Sequence, residues 1–70
     1  MRIYVNLLGK WTDVTDSGTL EAEDPITFIK EGLKYSPNSL VAECFKYDYI
    51  NVQYEGKNYR IHPSMIQIVT

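Results

Sequence analysis

The sequence has 70 residues, of which 44% are hydrophobic, so it is long enough for one small domain and too short for two. Its formal net charge is −2, and its Lys and Arg residues are dispersed among acids, which disfavours nucleic-acid binding. No apolar run approaches the roughly 18 to 20 residues that cross a bilayer, so we expect no membrane segment.

The first predicted element is a β-strand over residues 2–8. Apolar and polar positions alternate there with period two, which places one apolar set on the buried face: Ile3, Val5 and Leu7. Gly9 marks a bend after this strand. Residues 11–23 are acidic and contain an Asp-Ser-Gly turn cluster, so we predict a long polar loop with short strand pieces around Val14 and Leu20.

A short helix is predicted to follow this loop. Asp24 caps free backbone amides and Pro25 suits the first helical position, so the pair indicates a helix start. One face of the helix is apolar, and it is formed by Ile26, Ile29 and Leu33. Residues 36–38, Ser-Pro-Asn, end it. Gly32 and the β-branched residues before it leave a hairpin over the same segment as the alternative.

The second half of the chain predicts strands. Residues 40–45 and 50–54 both alternate with period two, and a break near Asp48 separates them. Glu55-Gly56 is a two-residue connection typical of a hairpin, and it leads to a return strand through Tyr59 and Ile61. Pro63 has no amide to donate and interrupts the pairing before a last short strand through Ile66 and Ile68.

Reactive side chains are few. The single cysteine, Cys44, excludes an internal disulfide, and a reducing cytoplasm is the expected location. Cys44 alternates with Leu40 and Ala42, which predicts an inert thiol on an apolar strand face. Cysteine and histidine catalysis would require His62 beside it in an accessible pocket, and zinc requires three or four such ligands. We therefore predict no catalytic residues, no metal and no cofactor.

The tail over residues 50–69 runs strand, tight hairpin, strand, Pro-Ser turn and final strand. In this order, and in Pro63-Ser64, it resembles the closing part of an SH3-like small β-barrel, where a Pro-Ser-Asn-Tyr-Val segment forms a 3₁₀ turn before the last strand. Ile66 replaces the tyrosine of that segment, so the resemblance implies an architecture and no ligand. We predict a single α+β domain over residues 1–70: a strongly bent antiparallel sheet or SH3-like barrel of about five strands with one short helix.

Aromatic side chains are the main indication of function. Tyr and Trp are enriched where proteins bind proteins, and Tyr49 faces outward if Ile50 and Val52 face the core. We predict a binding patch that contains Trp11, Tyr47, Tyr49 and Pro63. The alternative is that the tyrosines only complete the coverage of a small core.

We therefore predict a small non-enzymatic module that binds an unidentified protein partner. Two other functions stay open. The acids of the first half could imitate phosphates and block a nucleic-acid-binding protein; they are Asp13, Asp16, Glu21, Glu23 and Asp24. The sheet could also bind single-stranded nucleic acid directly, although the sequence offers no basic groove for the phosphates. A homodimer is a further option, because free sheet edges pair readily.

Overall fold

The structure is a computed structural model that describes residues 1–35 and 48–70. The elements in these ranges are β1 (Arg2–Leu7), β2 (Lys10–Asp13), β3 (Gly18–Leu20), α1 (Pro25–Tyr35), β4 (Ile50–Tyr54), β5 (Lys57–Ile61), a 3₁₀ turn (Pro63–Met65) and β6 (Ile66–Val69). The predicted strand over residues 40–45, including Cys44, lies outside the described residues, and so does Tyr47.

The strands form two antiparallel sheets of three strands each, where we predicted one bent sheet of about five. The first sheet has the order β2-β1-β6 and the second has the order β3-β4-β5. Among the described residues no strand pairing joins the two sheets, so they do not close into a barrel. With its one short helix, the fold is a small α+β arrangement, as predicted.

The stretch over residues 11–23, predicted as a long polar loop with short strand pieces, supplies β2 and β3. The piece predicted around Leu20 is β3, whereas the piece predicted around Val14 lies earlier, as β2, which ends at Asp13. β2 runs back beside β1, with Trp11 opposite Asn6. A tight turn follows, in which the carbonyl oxygen of Val14 accepts from the amides of Ser17 and Gly18 at 3.4 and 3.0 Å. This turn carries the chain from the first sheet to the second.

Three two-residue turns share one backbone conformation. Both central residues have positive φ, which matches the twist of a β-hairpin. They are Leu8-Gly9, Glu21-Ala22 and Glu55-Gly56. The last of these is the predicted hairpin between β4 and β5. Positive φ costs a residue other than glycine about 1–2 kcal/mol, so four residues in these turns are strained: Leu8, Glu21, Ala22 and Glu55.

The helix begins as predicted, and the hairpin alternative for this segment is wrong. The carboxylate of Asp24 accepts from the Thr27 amide at 3.1 Å, and the Asp24 carbonyl accepts from the Phe28 amide at 2.9 Å. These bonds satisfy amides that have no partner inside the helix. Pro25 is buried and so is Ile29, since α1 packs against β1 and β3.

One hydrophobic core is shared by both sheets and the helix. The predicted alternation is confirmed in β1 and β4, whose apolar positions are buried while the positions between them are more exposed. The buried apolar side chains are Ile3, Val5, Leu7, Val14, Leu20, Ile29, Ile50, Val52 and Ile61. Pairing pauses at Pro63 and resumes in β6, as predicted, and Ile66 and Ile68 pack against this core.

Gly18 lies at a close approach between the two sheets. A Cβ atom at this position would lie 2.9 Å from the Cβ of Val14 and 3.1 Å from the carbonyl oxygen of Gln53. Val14 is fully buried, so it has little room to move aside. We expect Gly18→Ala to lower the free energy of unfolding by about 1–2 kcal/mol, measured by urea unfolding.

The neighbouring exposed residue provides the control for this variant. Ser17→Ala is expected to change the free energy of unfolding by less than about 0.5 kcal/mol, because its side chain lies at the surface. An unchanged urea midpoint for Gly18→Ala would contradict the close approach of Val14 and Gln53.

Candidate functional site

The outer face of the first sheet brings together side chains from three strands. Ile3 and Val5 point into the core, so Tyr4 and Asn6 point outward from β1. Asn6 lies opposite Trp11 of β2, and Tyr4 lies opposite Gln67 of β6. Residues that lie opposite each other in a sheet share a face. Trp11, Tyr4 and Gln67 are therefore neighbours on the outer face.

These side chains line a shallow depression of about 430 Å³, and we call its lining the Trp11 face: Tyr4, Trp11, Gln67 and Val69. Trp11 is 46% exposed and Val69 is 50% exposed, whereas Tyr4 on the central strand is half-buried. The indole N–H, the phenol hydroxyl and the Gln67 amide supply hydrogen-bonding groups within an otherwise apolar surface. The Trp11 face therefore combines exposed apolar area with groups that can orient a ligand.

A charged network lies at one end of this face. Arg2 is opposite Val69, and its Nε donates to Oδ2 of Asp13 at 2.9 Å. Its Nη1 lies 3.0 Å from Oδ2 of Asp16. The hydrogen bonds to Asp13 and then to Asp16 raise the pKa of the Arg2 guanidinium. Exposed ion pairs contribute little to stability, so we assign this network no large share of the folding free energy.

Thr15 connects this network to the core. Its buried Oγ1 accepts from the amide of Ile3 at 2.8 Å and donates to Oδ1 of Asp13 at 2.7 Å. The Thr15 amide donates to the same carboxylate oxygen at 3.0 Å. The pKa of Asp13 is lowered, first by the bond from the Thr15 hydroxyl, then by the bond from the Thr15 amide, with smaller contributions from Arg2.

Four of the five acids predicted to form one surface make contacts of their carboxylates within the fold. Asp13 and Asp16 bind Arg2, as described above, and Asp24 caps α1. Oε1 of Glu21 accepts from the Asn51 amide at 2.7 Å. Glu23 is exposed, and its backbone pairs with Leu20. Imitation of a phosphate backbone requires a row of free carboxylates, and this arrangement does not favour it.

The residues predicted as one aromatic patch lie in different places. Trp11 belongs to the first sheet, whereas Tyr49 directly precedes β4 of the second. Tyr49 is 42% exposed, and the guanidinium carbon of Arg60 lies 4.6 Å from the centre of its ring. Pro63 is buried at the start of the 3₁₀ turn, so its ring does not form part of a surface. Of the predicted binding residues, the Trp11 face contains Trp11 alone.

Three residues of the Trp11 face were not predicted: Tyr4, Gln67 and Val69. A signal existed for Tyr4, because it occupies the position between the buried Ile3 and Val5 and so belongs on the outer side of β1. The same alternation places Gln67 and Val69 on the outer side of β6, because Ile66 and Ile68 face the core. Their place beside Tyr4 depends on the pairing of β6 with β1, which joins the two ends of the chain.

His62 and Ser64 form a local pair at the 3₁₀ turn. Nδ1 of His62 accepts from the Ser64 amide at 3.1 Å and lies 2.8 Å from Oγ of Ser64. Both side chains are exposed, and the contacts cap the turn that begins at Pro63. Local capping therefore accounts for this pair.

Within residues 1–35 and 48–70, no cluster of three or more His, Cys, Asp or Glu side chains is arranged to hold a metal ion. In the same ranges, no helix has the length and apolar character needed to cross a bilayer. No family model matches the chain, and the searches of curated proteins and of solved structures find no match.

Proposed function

We propose that the chain is a small non-enzymatic protein-interaction module and that the Trp11 face is its docking surface. The observation that carries this proposal is the exposure of Trp11 beside Tyr4, Gln67 and Val69 in one depression. Buried Trp and Tyr side chains contribute about 150–250 Å² each and dominate the energetics of interfaces. Trp and Tyr side chains are enriched among the residues at the centre of an interface that contribute most of the binding energy.

The geometry supports a rigid docking surface. β1 is the central strand of the first sheet, and its inward side chains Ile3 and Val5 are fully buried in the core. Trp11 and Gln67 are held on either side of it by strand pairing. A surface that is already ordered loses little conformational entropy on binding, so more of the contact energy contributes to affinity.

The second sheet offers a different surface. Its outward positions are mainly polar, and they include Thr19, Asn51, Gln53 and Asn58. Tyr49 adds one aromatic ring there, and Arg60 lies over it. Tyr49 and Trp11 have almost the same exposure, which makes Tyr49 a matched control for the role of Trp11.

Substitution of Trp11 tests the proposal. A pull-down with the tagged wild-type protein from a lysate of the source cells, followed by mass spectrometry, identifies the partner. Titration calorimetry with the purified partner then gives Kd. We expect Trp11→Ala to weaken this Kd by about 30-fold or more, as for a central anchor worth about 2 kcal/mol. Circular dichroism with urea checks that the variant is folded.

Tyr49→Ala provides the comparison, and we expect it to change Kd by less than about threefold. Equal losses of affinity in the two variants would contradict a docking surface at the Trp11 face. The absence of any enriched protein, together with a measured catalytic turnover, would contradict a non-enzymatic interaction module altogether.

A further inference from the structure

The tip of the β1–β2 hairpin carries an apolar side chain that the fold does not use. Leu8 is 94% exposed and has a φ of +54°. The amide of Gly9 donates to Oδ1 of Asn6 at 2.8 Å, which locks the turn in this shape. The backbone of Leu8 is therefore fixed at the end of the hairpin that also carries Trp11.

Leucine is a poor choice for this turn on the grounds of folding alone. The first position of a turn with two positive φ angles favours Asn, Asp or Gly, because these residues adopt the left-handed conformation more readily. The other two turns of this conformation place glutamate at the equivalent position: Glu21 and Glu55. Leu8 thus combines backbone strain with an apolar surface that contributes nothing to the core.

One positive charge lies beside the tip. Residues 6–12 contain a single base, Lys10, and no acid. Lys10 is exposed and comes directly after the turn, whereas Arg2 lies at the other end of β1, bound to Asp13 and Asp16. A surface complementary to this tip is apolar where it meets Leu8 and acidic where it meets Lys10.

We propose that Leu8 is an anchor that inserts into an apolar pocket with an acidic rim on the protein partner. This inference rests on the proposed function and adds the chemistry of the partner's surface. A two-residue turn is narrow and convex, so it fits a pocket better than a flat surface. A bilayer is a poorer occupant, because one leucine and one lysine provide little membrane affinity.

The decisive variant is Leu8→Asn, because it separates binding from folding. Asparagine suits positive φ, so we expect the urea midpoint to stay the same or rise. At the same time, we expect Kd for the partner identified with the wild-type protein to weaken by about tenfold or more. The same substitution at the equivalent turn position, Glu55→Asn, is the control and should leave Kd unchanged.

Two further measurements examine the chemistry of the pocket. Lys10→Glu is expected to weaken binding at low ionic strength by about fivefold or more and to reduce the salt dependence of Kd. A photoreactive diazirine analogue of leucine at position 8 should form an adduct with apolar residues of the partner. The same analogue at position 55 should not.

The outcomes distinguish this inference from the function on which it rests. If Trp11→Ala weakens binding and Leu8→Asn does not, the docking surface stands and the Leu8 anchor is wrong. If no protein partner is found, both proposals fail. If sedimentation with phosphatidylserine vesicles depends on Leu8 while protein binding does not, the occupant is a lipid surface and this inference is wrong.

Discussion

The Ile50→Ala variant is expected to lose about 3 kcal/mol of folding free energy and to retain less than about 2 kcal/mol at 25 °C. Ile50 is fully buried at the start of β4, where it lies opposite Ile61 and packs in the core shared by both sheets. Removal of its side chain leaves a cavity that the surrounding strands cannot fill. A core of this size supplies only about 3–5 kcal/mol, so one such loss removes most of the stability.

Urea unfolding followed by circular dichroism measures this loss, and the same strand provides the control. Gln53 points away from the core and is exposed, so Gln53→Ala is expected to change the free energy of unfolding by less than about 0.5 kcal/mol. A loss below about 1 kcal/mol for Ile50→Ala would show that β4 does not contribute to the core in this way.

The elements predicted correctly are those whose signal is local. In β1 and β4, each buried apolar residue alternates with a more exposed one, so the period-two pattern is sufficient to identify the strand and its inner face. The helix start is also local, because Asp24 caps amides only three and four residues further along the chain. The turn at Glu55-Gly56 requires only the two residues themselves.

The two strands in the stretch predicted mainly as loop have a weaker signal. β2 contains one large apolar residue, Trp11, and it points outward, so hydropathy alone indicates neither a strand nor its inner face. β3 has only three residues, of which Leu20 alone is buried. Both strands form because they pair with β1 and β4. β2 completes a hairpin with β1 across Leu8-Gly9, whereas the pairing of β3 with β4 connects distant parts of the chain. The division into two sheets follows from the same pairings.

The candidate site shows the same limit. Composition was enough to select Trp11 as a candidate binding residue. That Tyr4 and Gln67 lie beside it follows only from the pairing of β1 with β2 on one side and with β6 on the other. The partners of the acids could not be predicted for a related reason. Glu21 binds Asn51, which is 30 residues away in sequence, and no local pattern indicates such a partner.

Thr15→Val is expected to lower the free energy of unfolding by about 2–3 kcal/mol at neutral pH. Valine has nearly the same shape as threonine, but it leaves the buried amide of Ile3 without the acceptor that lies 2.8 Å away. β2 ends at Asp13, so the Thr15 hydroxyl takes the place of the next acceptor along this side of β1. Urea unfolding followed by Trp11 fluorescence measures the loss.

The same substitution on an outer strand position provides the control for shape and β-propensity. Thr19 lies in β3 and is half-buried, and we expect Thr19→Val to change stability by less than about 0.5 kcal/mol. If the two variants lose stability equally, the hydrogen bond from Ile3 to Thr15 is not the cause of the effect.

Asp13 makes the effect of Thr15→Val depend on pH. The pKa of Asp13 lies below its ordinary value of 3.8, chiefly because the Thr15 hydroxyl donates to the carboxylate. Since the pKa is lower in the folded protein than in the unfolded chain, Asp13 stabilises the fold above pH 3.8. That contribution disappears as the pH falls through the pKa of the folded state. Valine at position 15 removes the largest cause of the lowered Asp13 pKa. The free energy of unfolding of the variant therefore depends less on the ionisation of Asp13 and falls less in acid.

The difference in unfolding free energy between wild type and Thr15→Val should therefore be larger at about pH 6 than at about pH 2. Urea unfolding at a series of pH values measures this change, and Thr19→Val should show no such trend because it leaves the Asp13 carboxylate untouched. A deficit of equal size at both pH values would mean that Thr15 stabilises the fold only through the amide of Ile3. In that case, the bond between Thr15 and Asp13 makes no net contribution to folding.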